Sequence, residues 1–282
     1  MARKRKTGGR VPRRTRWLGS LIVLVVCGVA AGGLAVYRAL SGHTDERPVT
    51  TDEASRLALS RLNLYQASPV AVTLTTTEGG GVMVRVSGIV DYRTHRAVGS
   101  YQVSGAGGAS SETFGPSGTS GPVAGQLDRG LIVWDSGGLG LARATRGDTT
   151  PPWQQAEHIP RSGWSSRSYT TDPLDAGLRL LIGLGADRPD NPLLLAQSGA
   201  RWLDRERIDG RDYDRFAGPR AQGAKSSAGP DGGRSPLTYW VDDDGGLRRV
   251  TMRMPGLGTP TTVEFSGRDS RAKLPEAPWS TG

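Results

Sequence analysis

The sequence predicts an α+β fold built around one antiparallel sheet. Three observations predict it. Apolar and polar residues alternate in short runs through most of residues 70–266. Gly- and Asp-containing turns join successive runs, as in hairpins. Helical spacing is confined to three places, so the β-α-β rhythm of a parallel sheet is absent.

The elements follow in order. Thr50-x-x-Glu53 is a capping-box pattern, and Ala54, Leu57, Ala58, Leu62 and Tyr65 follow it at helical spacing, with Pro69 beyond the end. Val70, Val72 and Leu74 alternate as a strand. After the turn Glu78–Gly81, Val82, Val84 and Val86 alternate again, and this strand extends to Val90. Residues 91–96 turn the chain into Ala97–Val103. Residues 104–126 are rich in Gly, Ser, Thr and Pro, with too few apolar side chains to offset ordering entropy, and read as a loop. Leu131–Trp134 and Leu139–Ala142 pair across Asp135–Gly138, and residues 145–170 read as irregular. Asp172-Pro173 opens a helix bearing Leu174, Leu178, Leu181 and Ile182, which Gly185 ends; Asn191-Pro192 opens a shorter one over Leu193–Gln197, ended by Gly199. Arg201–Ile208 and Tyr213–Ala217 flank the turn dipeptide Asp209-Gly210. A polar loop at 218–235 precedes the hairpin Leu237–Val241 and Leu247–Met254, and Thr261–Ser266 is the last strand. The count is about nine strands and three helices.

Ahead of this region, residues 18–37 (LGSLIVLVVCGVAAGGLAVY) carry no charge. Twenty residues at helical rise span about 30 Å, the hydrocarbon thickness of a bilayer. Trp17 and Tyr37 flank the run as interfacial aromatics. Eight basic residues and no acid lie in the first sixteen positions, so the positive-inside bias predicts a cytoplasmic N-terminus and an extracytoplasmic C-terminal part. A cleaved signal peptide is the first rival reading, with small residues around Gly33-Leu34-Ala35, but the run exceeds an ordinary signal core. A lipid-modified Cys27 is the second, and Val26 is not the small residue that this modification needs. The expected organisation is a basic cytoplasmic tail (1–17), a transmembrane helix (18–37), a linker (38–50), an extracytoplasmic domain (51–275) and a short tail (276–282).

The net charge of +9 belongs to the tail. Residues 41–282 hold 27 Lys+Arg and 27 Asp+Glu, so no basic domain is left to bind nucleic acid. Cys27 is the only cysteine, so the domain has no disulfide and its size must suffice for a core.

Four features together resemble a known family: the amphipathic helix feeding a long meander, the Leu-rich helices in mid-chain, the segment Ile208-Asp209-Gly210-Arg211-Asp212-Tyr213, and the hairpin Tyr239-Trp240-Val241-Asp242-Asp243-Asp244-Gly245-Gly246-Leu247. The chain resembles, over roughly residues 50–275, the LolA-like superfamily of lipoprotein carriers and the mycobacterial LppX/LprG-type lipoproteins. The Arg- and Gly-rich composition suits a membrane-anchored member of actinobacterial type. The resemblance implies a curved antiparallel half-barrel, with helices on its concave face and acyl chains held between. It implies a non-catalytic lipid-binding role without a cofactor. It places a cavity against the helices bearing Leu174, Leu178, Leu181, Ile182 and Leu194; Trp164, in the irregular stretch 145–170, is a further candidate for its mouth. The Leu174 stripe also reads as plain core packing, and both readings stand at this point. An anchor would limit shuttling and favour capture or sensing at the membrane, through lipid or through an envelope protein partner.

Other motifs carry little. His43, His95 and His158 are scattered without metal-site spacing. No Gly-x-Ser-x-Gly elbow is present. Ser270-x-x-Lys273 falls in the terminal segment, far from Lys6-Thr7-Gly8. Asp242-Asp243-Asp244-Gly245 lacks the glutamate that a calcium loop requires and reads as a hairpin turn. Arg146-Gly147-Asp148 reads as a loop turn. Trp202 and Trp240 read as core, and Trp153 and Trp164 as candidates for a ligand mouth or rim.

Overall fold

The computed structural model describes residues 46–105, 129–145, 147, 149–219, 235–269 and 271–275. The predicted membrane segment at 18–37, the basic tail and most of the linker lie outside these residues, as do Arg146, Asp148 and Ser270. Among the described residues no helix is long and apolar enough to cross a membrane.

Among the described residues twelve strands form a single sheet, and every pairing is antiparallel. In chain order they are β1 (Arg47–Pro48), β2 (Val70–Thr77), β3 (Met83–Asp91), β4 (Arg96–Ser104), β5 (Arg129–Asp135), β6 (Leu139–Ala142), β7 (Ser165–Arg167), β8 (Arg201–Ile208), β9 (Arg211–Ala217), β10 (Leu237–Val241), β11 (Leu247–Met252) and β12 (Thr261–Arg268). Strands β2–β7 form one meander and β8–β12 a second. The two join where β12 pairs with β2, and β1 lies outside β8 at one edge. Four α-helices accompany them among the described residues: α1 (Thr51–Ala67), α2 (Pro152–Glu157), α3 (Pro173–Gly183) and α4 (Pro192–Gln197).

Period-2 alternation gives the sheet two faces. One carries Val70, Val72 and Leu74 of β2, Val84, Val86 and Val90 of β3, Phe216, Val250 and Val263, all buried in the main core. Helices α1 and α3 cover this face. Helix α3 lies on β2 and β12 so closely that a Cβ on Gly177 would stand 2.9 Å from both Leu74 Cδ1 and Thr261 Cγ2. Helix α4 packs on α1. The opposite face of β4 and β5 carries Val98 and Val133, which form a second cluster with Ala156 of α2 and with Trp153, Trp164 and Leu274. The expectation that all helices share one face therefore fails for α2. The alternation of β4 and β5 provides apolar residues on both sides, and both need cover.

Several features bend the sheet. Gly88 of β3 faces Gly99 of β4, and a Cβ on Gly88 would lie 2.2 Å from the Val98 carbonyl oxygen. Such an approach between strands requires glycine. Register shifts interrupt β8 between Trp202 and Asp204, β10 between Trp240 and Val241, and β12 between Phe265 and Gly267. Bulges of this kind add local twist and bend.

Local signals form largely where the sequence places them. The capping box closes α1: the Glu53 amide donates to Thr50 Oγ1 (3.3 Å), and the Thr50 amide donates to Glu53 Oε2 (2.8 Å). Ala54, Leu57 and Ala58 are buried as expected, whereas Leu64 rather than Leu62 or Tyr65 completes the inner stripe. Asn191 Oδ1 caps α4 by accepting from the Leu193 and Leu194 amides. Asp172 stands at the N-cap of α3 but makes no capping bond; its carboxylate accepts from Thr170 Oγ1. Glu78, in the β2–β3 turn, caps the helix instead by accepting from the Leu174 amide at 2.8 Å. Burial raises the Glu78 pKa.

Two buried carboxylates tie the helices to the sheet. Asp175, fully buried, accepts from both Arg167 guanidinium nitrogens (2.5 and 2.9 Å) and from the Thr170 amide. Burial pushes its pKa up, but these bonds outweigh it and leave it lowered. Asp214 of β9 accepts from Trp202 Nε1 (3.1 Å) and Arg205 Nε (2.9 Å), and Arg56 of α1 pairs with it at 2.6 Å. Here too burial opposes ionisation, and the bonds from Arg205, Trp202 and Arg56 prevail, holding the pKa at about 2.

The stretch 145–170, expected to be irregular, contains α2 and β7. The expected linker contains β1, whose Pro48 stands opposite Arg201. Arg47 stacks on the Trp202 ring at 4.6 Å, and Glu46 pairs with Arg201 at 2.8 Å. Long-range partners of this kind leave no signature in a two-residue strand.

Candidate functional site

At one end of the sheet, three hairpin and strand ends converge beside the C-terminal half of α1. They line a groove of about 530 Å³ that is open to solvent. Its apolar lining is Leu64 and Ala67 of α1, Val70 at the start of β2, Tyr213 of β9, Leu247 of β11 and Phe265 of β12. Its polar lining is Asn63, Asp209, Arg211, Asp242, Arg248 and Ser266. The volume lies within the range of small-molecule pockets.

Local chemistry fixes each wall. The β8–β9 turn needs two residues with positive φ, and Asp209 (51°) and Gly210 (79°) supply them. In the β10–β11 turn, Asp242 Oδ1 accepts from the Gly246 amide (2.6 Å) and the Asp244 amide (3.1 Å), while Gly245 adopts φ 78°. Asn63 of α1 donates to the Asp244 carbonyl at 3.1 Å, which holds this turn against the helix. Arg248 bridges two walls: it donates to the Phe265 carbonyl (2.9 Å) and to Asp209 Oδ2 (3.0 Å). Arg211 stands 3.9 Å from Asp242. The two arginines and two aspartates balance in charge, so the rim favours neither sign of headgroup by net charge. The arrangement can shelter an apolar chain while leaving its polar end among these groups.

The six residues nominated from sequence are not brought together on one surface. Leu174, Leu178, Leu181 and Ile182 are buried in the main core, packed against the sheet. Leu194 is 61% exposed on α4. Trp164 belongs to the second cluster on the opposite face. Neither set lines the groove. Sequence reasoning had identified the turns at Asp209-Gly210 and Asp242–Gly246. It did not place them at the same end of the sheet as Ala67, because that juxtaposition depends on β12 returning to pair with β2.

Trp240 is buried but outside the main core cluster. Its indole donates to Glu206 (2.7 Å), with the Arg215 and Arg249 guanidiniums over its ring. Among the described residues no three His, Cys, Asp or Glu side chains are grouped to hold a metal ion.

No family model matches the chain, and no curated protein matches it. Among solved structures it is similar to an uncharacterised conserved protein from Thermus thermophilus, with 8% identity, 74% of this chain and 83% of that chain covered, and a TM-score of 0.31. It is also similar to a domain from Vibrio parahaemolyticus assigned to outer membrane lipoprotein sorting, with 8% identity, 70% and 82% covered, and a TM-score of 0.20. Similarity at this depth fixes neither the fold family nor the function.

Proposed function

We propose that the chain is a membrane-anchored extracytoplasmic domain that binds a lipid or another amphiphile without converting it. The charge-free segment at 18–37 and the basic residues before it support the anchor and its orientation. The family resemblance of residues 50–275 supports the ligand class. The observation that carries the reading is the groove, with its apolar walls and mixed polar rim at one open side. Each methylene buried there contributes about 0.8 kcal/mol, so a segment of about six supplies roughly 5 kcal/mol.

Ala67 offers the test. It is half-buried on the groove wall, at the last residue of α1. Ala67 also touches the edge of the main core, so Ala67→Trp is expected to fill the groove at some cost in stability. In a titration with a fluorescent fatty acid, the variant should bind at least tenfold more weakly than the native domain, while its circular dichroism still shows a folded domain at the titration temperature. Equal binding by both would remove the groove as the site.

A second reading, a regulator acting through an envelope protein partner, is favoured by one observation. The α3 leucines that would wall a large lumen are packed against the sheet, with Leu178 and Leu181 fully buried. Lipid carriage and partner binding separate on whether lipid accompanies the purified domain.

A further inference from the structure

Leu193 and Leu194 are the most exposed large apolar side chains among the described residues, at 65% and 61%. They are not loosely held. Asn191 caps their amides, and the next residue, Leu195, packs on the main core. Helix α4 rests on α1, and the Ala200 amide donates to the Leu195 carbonyl. The first turn of α4 therefore presents two adjacent leucines outward from a fixed base. Residues 191–200 contain no charged side chain.

The position of this turn bears on what could cover it. Pro48 pairs with Arg201, four residues beyond the end of α4, and Glu46 pairs with the same arginine. The chain coming from the predicted membrane segment thus joins the domain beside α4. Residues 38–45 separate the two and span at most about 28 Å when fully extended.

We propose that Leu193 and Leu194 insert into the outer interface of the bilayer holding the chain's own anchor, as a second contact that orients the domain. This rests on the anchoring part of the function proposed above, not on the groove. Because no charge takes part, the contact is independent of anionic lipid, unlike the electrostatic docking of a basic surface.

The test uses the full chain in vesicles. On a Cys27→Ser background, an environment-sensitive fluorophore is placed through Gln197→Cys, exposed on the same helix, or through Ser165→Cys, exposed on the edge strand β7 at the other side of the sheet. Vesicles are phosphatidylcholine with nitroxide-labelled lipid, with or without phosphatidylglycerol. The expected result is a blue shift and strong lipid quenching at 197, neither at 165, and no dependence on phosphatidylglycerol. Leu193→Asp with Leu194→Asp should abolish the quenching; acidic residues suit the first turn of a helix, so α4 persists. Equal water exposure at 197 and 165, quenching that requires phosphatidylglycerol, or quenching that survives the two aspartates would overturn the proposal. A chain that does not float with vesicles at all would overturn the anchor and this contact together. Loss of the 197 signal in a chain that floats overturns the contact alone.

Discussion

Gly88→Ala is expected to destabilise the domain by about 3 kcal/mol or more, lowering the melting temperature by roughly 10 °C. The reason is space, not backbone freedom. A Cβ at this position would lie 2.2 Å from the Val98 carbonyl oxygen and 2.5 Å from the Gly99 Cα. Both are backbone atoms of the neighbouring strand, so no rotamer change relieves the clash. Gly99 is equally confined, with its own Cβ position 2.7 Å from the Ser87 carbonyl oxygen. The only relief is for β3 and β4 to separate, which breaks the ladder in the middle of the first meander. Gly79→Ala is the control. Nothing lies within 4 Å of that position, and the change should stay within about 0.5 kcal/mol. Thermal melts of the two variants check this. A Gly88→Ala protein that melts with the native one would mean that the two strands do not approach as described.

The second large effect concerns Asp214. Asp214→Ala leaves Trp202 Nε1 without its acceptor and takes from Arg56 and Arg205 their buried partner, a carboxylate only 3% exposed, so that each arginine keeps only the exposed Asp243. Removing one partner of a buried pair costs about 3–5 kcal/mol. The lower end applies here, because the Arg205 side chain is 47% exposed and regains water. The pH dependence follows from the lowered pKa. The carboxylate titrates at about 2 in the folded domain and at about 3.9 in an unfolded chain. Its contribution is therefore complete above about pH 4 and is lost as the pH falls toward 2. Urea unfolding of native and Asp214→Ala proteins should differ by about 3 kcal/mol at pH 7 and converge near pH 2. A gap that is constant across this range would show that the loss is packing rather than charge.

Most local elements were legible because their causes are local. Thr50 and Glu53 cap α1, Asn191 caps α4, and Asp209-Gly210 makes the tight turn with interactions that span at most four residues. What was illegible depends on partners distant in sequence. Glu78 caps α3 from 96 residues away, displacing Asp172 from that role. Strand β1 exists only because β8 pairs with it. Trp164, a candidate for a ligand mouth or rim on sequence, packs on the second apolar face of β4 and β5, a neighbourhood that its own segment does not announce. The Leu174 stripe read as core by default, with a cavity wall as the alternative that its spacing could not separate; its four residues are buried in the main core. The groove was invisible for a related reason. Its walls come from α1, β2, β9, β11 and β12, and no segment of sequence contains more than a fragment of it.

The central claim is that this domain holds an amphiphile. The most direct measurement is mass spectrometry of an organic extract of residues 46–282, expressed without the anchor and purified without detergent. The account predicts lipid or another amphiphile at close to one molecule per chain, lost in Ala67→Trp. A folded, stable domain that carries no lipid, and that takes up none when lipids are added, would contradict it.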